Sequence, residues 1–443
     1  MHTCADCDTC RFLMNESCLF FPEMYRLYDR EKESGTRTTE EEFSRLADRC
    51  TLCGLCPCPS IRTEIVRAKT VRVREKGMPL RGRMLADIQS AGKCGTRFPG
   101  LVNSVIKKGP MEETVKRFSG IARERKLPRF PSVDFFTWAR KNGLKRMPEK
   151  NPKAAYFVGC MAAFLFPEVA RACVDVLEKN GIAVYVPPQQ CCGMPTLVEG
   201  AEQLTRERVR KNLHSLLDAA ASGCDLLCSC PSCGFFMKVL LKEGAFYTRA
   251  YQESVNAGRK EILVPGQGSG KKRHYSLSKS MYERILSDTP YFSGIDPMQR
   301  ISISEKISDL GQYLEGLHRR GRLNARMGAV KGRMAYFAPC HQREQDMGGP
   351  YEKLLKLVPG LDTRPVAGAM DCCGMGGSLG FKETLHQDSI GLAEPLVRKI
   401  RAASPEALIT DCLSCRLQFR HLMPELKVFH PLEILKKSYG TQE

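Results

Sequence analysis

A chain of 443 residues, 42% of them hydrophobic, is long enough for two to four domains with sizeable cores, yet it has no uninterrupted apolar run of the roughly 18 to 20 residues that would cross a bilayer. Its 22 cysteines and the opening "MHTCADCDTC", which lacks the basic and apolar regions of a secretory signal, favour reduced metal-binding thiols in the cytoplasm over a secreted disulfide framework. The formal charge of +19 suits an acidic partner or an anionic membrane surface, and with no aromatic platforms interleaved among the basic residues no nucleic-acid partner is expected.

Residues 1–90 hold two tight cysteine groups, Cys4, Cys7, Cys10 then Cys18, and Cys50, Cys53, Cys56 then Cys58, the last followed by Pro59. The polar stretch between them, "REKESGTRTTEEEFSRLADR", reads as a loop that turns into a helix. Three cysteines at successive three-residue steps aim their thiolates at one centre and suit a cubane, whose fourth ligand comes from elsewhere. On the two-cluster ferredoxin pattern, Cys4, Cys7, Cys10 and Cys58 form one [4Fe-4S] site and Cys50, Cys53, Cys56 and Cys18 the other. The spacing departs from that pattern, with seven residues rather than three between Cys10 and Cys18 and one between Cys56 and Cys58, so Cys18 and Cys58 are the less constrained ligands. A zinc reading with paired CxxC knuckles is the alternative, although two runs of three plus an outlier match its four ligands poorly.

Residues 91–150 form a basic connector with short helices, in which cations including Arg97, Lys107, Lys116, Arg117, Arg125, Arg140 and Lys145 stand against five acidic residues. It is either a solvated link or a docking face. The remainder is an internal repeat: residues 151–245 and 331–443 are its two copies, and 246–330 is a basic spacer ending in a helix over "SEKISDLGQYLEGLHRRGRL". In each copy an apolar strand ends on a cysteine ("AAYFVGC", "MAYFAPC"), a second strand ("IAVYVPP", "DTRPVAG") leads into two adjacent cysteines and a glycine, and a third runs into a CxxC ("DLLCSCPSC", "ALITDCLSC"). Cys160 precedes Cys340 by 180 positions, Cys191 precedes Cys372 by 181 and Cys230 precedes Cys412 by 182, a register that only duplication explains. Strands alternating with helices predict an α/β unit with a largely parallel sheet. The spacer's "GQGSG" lacks the flanking strand and the Gly-Lys-Ser/Thr ending of a phosphate loop, and no dinucleotide fingerprint occurs, so neither flavin nor NAD is expected on this chain.

Each copy offers five cysteines, more than a zinc site needs. Adjacent cysteines on a strand would point to opposite faces, and Gly193 and Gly374 are expected to permit a turn that brings both sulfurs to one side. "CCG" with an upstream strand cysteine and a downstream CxxC resembles the cysteine-rich CCG domain shared by heterodisulfide reductases, glycolate oxidase iron-sulfur subunits and the C subunit of anaerobic glycerol-3-phosphate dehydrogenase. "RKLPRFPSVDFFTWARKNG", "DLGQYL", "APCHQ" and "HPLEIL" are similar to the dehydrogenase subunit, while two complete cysteine sets are similar to the D-type subunit of heterodisulfide reductase.

The resemblance implies an α+β to α/β protein: an N-terminal helical ferredoxin-like domain with two cubane motifs, then two pseudo-repeated α/β CCG domains. It implies one or two further [4Fe-4S] clusters, noncubane in the disulfide-cleaving relatives, on Cys160, Cys191, Cys192, Cys230 and Cys233 and on Cys340, Cys372, Cys373, Cys412 and Cys415. The function implied is an iron-sulfur electron-transfer subunit of a flavin-linked oxidoreductase, working between a dehydrogenase partner and quinone or another acceptor on the cytoplasmic face of a membrane. The alternative is a disulfide reductase acting at the two CCG sets. His341, beside Cys340, is a candidate proton donor to a departing thiolate, or else bonds to backbone. Cys94, Cys173, Cys224 and Cys228 read as structural or surface thiols, with Cys228, two residues from Cys230, the one that could substitute as a ligand.

Overall fold

The computed structural model describes residues 8–56, 58–107, 109–255, 261–265, 274–278 and 290–440; Cys4 and Cys7 lie outside them. Up to residue 90 the regular structure of the described residues is helical. Phe20–Ser34 buries Phe20, Phe21, Met24, Tyr25 and Leu27, and its neighbour Glu40–Asp48 opens on Thr39, whose hydroxyl accepts from the Glu42 N–H while the Glu42 carboxylate accepts in return. The polar stretch therefore starts helical, as the end of Phe20–Ser34, and loops only at Gly35, whose φ of +67° ends the helix. The connector folds as the short helices Ile88–Arg97, Pro99–Val105, Pro110–Ser119 and Phe135–Lys141. Two of its cations are interior rather than part of a basic surface: Lys116 is held by Glu112 and the Arg123 carbonyl, and Arg125 is wholly buried.

The repeat builds two parallel four-stranded sheets. In the first copy, β1 (Lys153–Phe157) lies between β2 (Ala183–Tyr185) and β3 (Asp225–Cys228). The spacer contributes an antiparallel pair, β4 (Glu261–Pro265) with β5 (His274–Ser278), and then β6 (Ile307–Asp309), which joins the first sheet beside β3. The second copy sets β7 (Gly332–Phe337) between β8 (Leu361–Pro365) and β9 (Ala407–Thr410), with β10 (Lys427–Phe429) beside β9. The orders β2-β1-β3-β6 and β8-β7-β9-β10 are the same. Strands buried on both faces read as near-continuous apolar runs, as "AAYF" and "ALIT" do.

The helix expected over residues 304–323 is two helices, Pro297–Lys306 and Leu310–Arg319, separated by β6. The β-branched Ile307 fits a pleated edge, and Asp309 restarts the helix by accepting from the N–H groups of Gly311 and Gln312. β6 and its helix match β10 and the helix Pro431–Ser438, which His430 caps by accepting from the Leu432 N–H. The duplication thus extends past the CxxC to a fourth strand and helix, with an insertion in the first copy hiding the correspondence.

Gly193 and Gly374 adopt φ of +106° and +76°, and a Cβ at Gly374 would stand 2.0 Å from the Ser389 carbonyl oxygen. Gly374→Ala is expected to lose at least about 2 kcal/mol of stability, whereas Gly391→Ala, in the exposed interior of the helix His386–Ala403, gains about 0.5–1 kcal/mol; denaturant midpoints of both variants check this. Asp309 is buried where the two halves meet, with its helix against Tyr351, and burial raises its carboxyl from the ordinary value to about 6. Between about pH 4 and that value the native state keeps a proton that the unfolded chain releases, so native stability falls as pH rises through this window. Asp309→Asn keeps a capping side chain and is expected to flatten that fall by about 2–3 kcal/mol, read from denaturation at about pH 4 and pH 7.

Candidate metal centre

All ten cysteines of the two copies sit at the carboxyl ends of their strands, where an open parallel sheet presents its binding crevice. In the first copy Cys160 begins a short helix after β1, Cys191 and Cys192 lie in the loop after β2, and Cys230 caps the helix that carries Cys233. Their sulfurs form a continuous chain: Cys160 bonds to Cys191 at 3.5 Å, Cys191 to Cys192, Cys192 to Cys233, and Cys233 to Cys230. Hydrogen bonds from Cys160 and Cys192, with the Gly193 N–H, hold the Cys191 thiol well below its ordinary range, while those same bonds and burial push Cys160 and Cys192 up.

The second copy repeats the arrangement. Cys373 and Cys415 are 2.9 Å apart, and Cys372 bonds to Cys373. Cys373 is pulled down by its bonds to Cys372 and Cys415, whereas burial raises Cys340, which also senses Cys53, Cys373 and Cys412. Five thiols so crowded, most of them buried, cannot all ionise beside one another without a cation among them. That donor set fits an iron-sulfur cluster in chemistry and exceeds the four ligands of a zinc site.

Cys18, Cys50, Cys53 and Cys56 line one cavity, and Cys372 of the second copy lines it too. Backbone N–H groups of Phe20 and Phe21 point at Cys18 and that of Leu55 at Cys53, yet burial still raises these thiols to about 12 and about 11. Of the other N-terminal set, Cys10 is half-buried on the helix Thr9–Leu13 and Cys58 is exposed at the start of the helix Pro59–Lys76. Among the remaining cysteines, Cys173 is buried with bonds to Tyr156 and Ser229, and Cys224 lies 3.5 Å from the Met147 sulfur. Cys94 is exposed, and Cys228, buried on β3, bonds to Cys233.

His341 joins three units. Its Nε2 is 2.9 Å from the Leu52 carbonyl, in the loop between Cys50 and Cys53, and its Nδ1 is 2.8 Å from the Ser232 hydroxyl, between Cys230 and Cys233. A carbonyl only accepts, so the proton sits on Nε2 and Nδ1 accepts from Ser232. Its ring stacks on Phe235 at 4.7 Å, and burial lowers its pKa, so it stays neutral near pH 7.

Sequence reasoning missed two residues beside the thiols. Gln89, on the helix Ile88–Arg97, accepts from the Cys191 N–H and donates to Gln190. Arg125 reaches the second set, donating to Gln418, lying 3.3 Å from the Met375 sulfur and 4.6 Å from the centre of the Phe381 ring. Among the described residues it has no carboxylate within ion-pair range; burial lowers it to about 10, and the one charge that opposes this is that of Cys373. Neither residue stands out in sequence, each being one polar side chain among many.

The profile of the cysteine-rich domain family CCG matches residues 154–238 and 334–420. The C subunit of the anaerobic glycerol-3-phosphate dehydrogenase of Escherichia coli (strain K12) is 22% identical over 361 residues, which cover 81% of this chain and 77% of that protein. The B subunit of the fumarate reductase (CoM/CoB) of Methanothermobacter marburgensis is 24% identical over 301 residues, 66% of this chain but only 48% of its own length. Lactate utilization protein A of Halalkalibacterium halodurans is 22% identical over 298 residues, covering 66% of this chain and 99% of that protein.

His341→Phe retains the stacking on Phe235 but strands the Leu52 carbonyl and the Ser232 hydroxyl, at a cost of about 2–4 kcal/mol in denaturation. His341→Gln, able to donate to Leu52, is expected to recover part of that loss.

Proposed function

We propose, for a chain that carries two cysteine-rich CCG domains, that it is an iron-sulfur electron-transfer subunit of a multi-subunit oxidoreductase, working between a flavin-containing dehydrogenase and quinone or another acceptor. The observation that carries the reading is the shared cavity: Cys372 of the second copy lines the same space as Cys18, Cys50, Cys53 and Cys56. Four-iron clusters held by such thiolates would take up and release electrons singly. Cys50, Cys53, Cys56 and Cys18 would hold one cubane, and Cys4, Cys7, Cys10 and Cys58 another. The five-cysteine sets on Cys160 and Cys340 would hold the remainder. The protein's part is to fix the thiols, exclude water and set the charge around them, as Arg125 does beside Cys373.

The similarity to subunits named for anaerobic glycerol-3-phosphate dehydrogenase and for fumarate reductase supports a redox partner. Among the described residues no helix is long and apolar enough to cross a membrane. Exposed Phe98, Leu101 and Phe118, interspersed with Arg97, Lys107 and Arg117, support a peripheral position against an acidic partner or the cytoplasmic face of a membrane. Reduction of a disulfide is the second reading, favoured by the completeness of both cysteine sets.

Iron and acid-labile sulfide on anaerobically purified protein test the first reading. About 16 irons per chain are expected, falling by about 4 in Cys53→Ala and by about 4 in Cys373→Ala. Stoichiometric zinc in place of iron would overturn it.

A further inference from the structure

The two five-cysteine sets carry the same donors but not the same charge around them. At the first set the cation is Arg208, on the helix Glu202–Ala221, and its pairing with Asp87 leaves little net field at Cys191. At the second it is Arg125, which is wholly buried and among the described residues has no carboxylate within ion-pair range. Lys93 and Lys145 also lie near the first set, but Lys93 is exposed and screened by solvent, and burial lowers the half-buried Lys145 to about 8, so that it gives up its charge more readily.

Arg125 is brought to the second set from outside its domain. Residues 120–122 of the connector run against residues 381–383, just beyond the second CCG turn: Ile121 bridges Lys382, the Ala122 N–H donates to the Phe381 carbonyl at 2.8 Å, and the Glu383 N–H donates to the Gly120 carbonyl at 2.9 Å. The guanidinium so placed donates to the Gln418 carbonyl oxygen. The Gln418 amide donates to the Ser389 hydroxyl at 3.1 Å, which donates in turn to the Gly374 carbonyl at 2.7 Å. A chain of neutral groups therefore ties the cation to the glycine of the CCG turn, and none of them cancels its charge. Withdrawing a guanidinium from water without a counter-charge is costly, and negative charge placed beside it is stabilised in return. Cys373 is the group whose charge acts on Arg125 in this way.

We propose that Arg125 makes the second set the stronger electron acceptor of the two, so that a cluster on the Cys340 set is reduced before one on the Cys160 set. The proposal rests on the reading that both sets hold four-iron clusters. The step is the gain of one electron with no bond made or broken. The site becomes more negative by one charge, and the buried guanidinium favours that state. In the test the electron comes from dithionite.

Dithionite titration of the anaerobically purified full-length protein, with redox mediators and followed by Mössbauer and electron paramagnetic resonance spectra, tests the order. Each signal is assigned by its loss in Cys373→Ala or in Cys191→Ala. The midpoint of the second set is expected to lie above that of the first. Arg125→Gln, which removes the charge and keeps an amide donor, should lower the equilibrium constant for reducing the second set at least tenfold, or 59 mV for a one-electron couple, and leave the first set unmoved. Arg125→Lys should keep most of the midpoint. Asp87→Asn still offers an oxygen to the Ser90 N–H but frees the charge of Arg208, and should raise the midpoint of the first set. Because Arg125→Gln alters a buried site, Asp87→Asn carries the same test at a partly exposed position. Reduction of the first set before the second, or an unmoved first-set midpoint in Asp87→Asn, would sink the proposal. Full iron with an unmoved second-set midpoint in Arg125→Gln would reject the role of Arg125 and leave the electron-transfer reading standing. Absence of iron from both five-cysteine sets would overturn that reading at these sites and the proposal with it.

Discussion

Crowded sulfur in a dry crevice governs this protein. Each parallel sheet ends in five thiols, and a buried thiol resists ionisation because its charge would lose water. The hydrogen bonds around Cys191 and Cys373 answer that resistance by holding those two thiols well below the ordinary range, while Cys160, Cys192, Cys233, Cys372 and Cys415 are pushed up. Metal binding would relieve the conflict, because thiolate ligands lose their protons to the ion and share its charge. The tight turns at Gly193 and Gly374 serve the same end, and at Gly374 a residue with a Cβ could not let the chain double back so closely against Ser389.

The N-terminal unit is fastened to this framework by polar contacts at several points. Lys69 donates to the carbonyls of Cys50 and Val198, and Arg49 pairs with Asp388 at 2.7 Å. His341 spans the remaining junction between Leu52 and Ser232. Thr51 packs so closely on the second CCG loop that a Cβ at Gly376 would meet it at 2.4 Å. Each contact involves a loop that carries cysteines or a residue next to one. The relative placement of the thiol sites therefore follows from the same bonds that hold the units together.

Duplication did not leave the two copies equivalent. Near Cys191 the cation is Arg208, which pairs with Asp87, so its charge is largely cancelled. Beside Cys373 it is Arg125, fully buried and without a carboxylate partner among the described residues. An uncompensated guanidinium favours added negative charge at the second site, whereas at the first Lys93 and Lys145 line a pocket together with Cys160 and Cys191.

How much of this was legible in the sequence follows from the range of the interactions. Strand ends, the CCG turns and the repeat register are local or periodic features, and "AAYFVGC", "MAYFAPC" and the paired CxxC runs carried them without reference to the rest of the chain. The fourth strand escaped because β6 is short and separated from β3 by the insertion, so that its pairing is visible only once the sheet has formed. Cys18, Cys50, Cys53 and Cys56 line one cavity, and the presence of Cys372 there could not be read from spacing. Arg125 and Gln89 are ordinary polar residues, and their neighbours are distant in sequence: Gln418 and Cys191. The sequence by itself determined the chemistry, because ligand type and local turn geometry are written in adjacent residues. Only the tertiary structure decided which cysteines share a cavity and which side chains surround them, because charge and burial depend on segments brought together from a hundred or more positions apart.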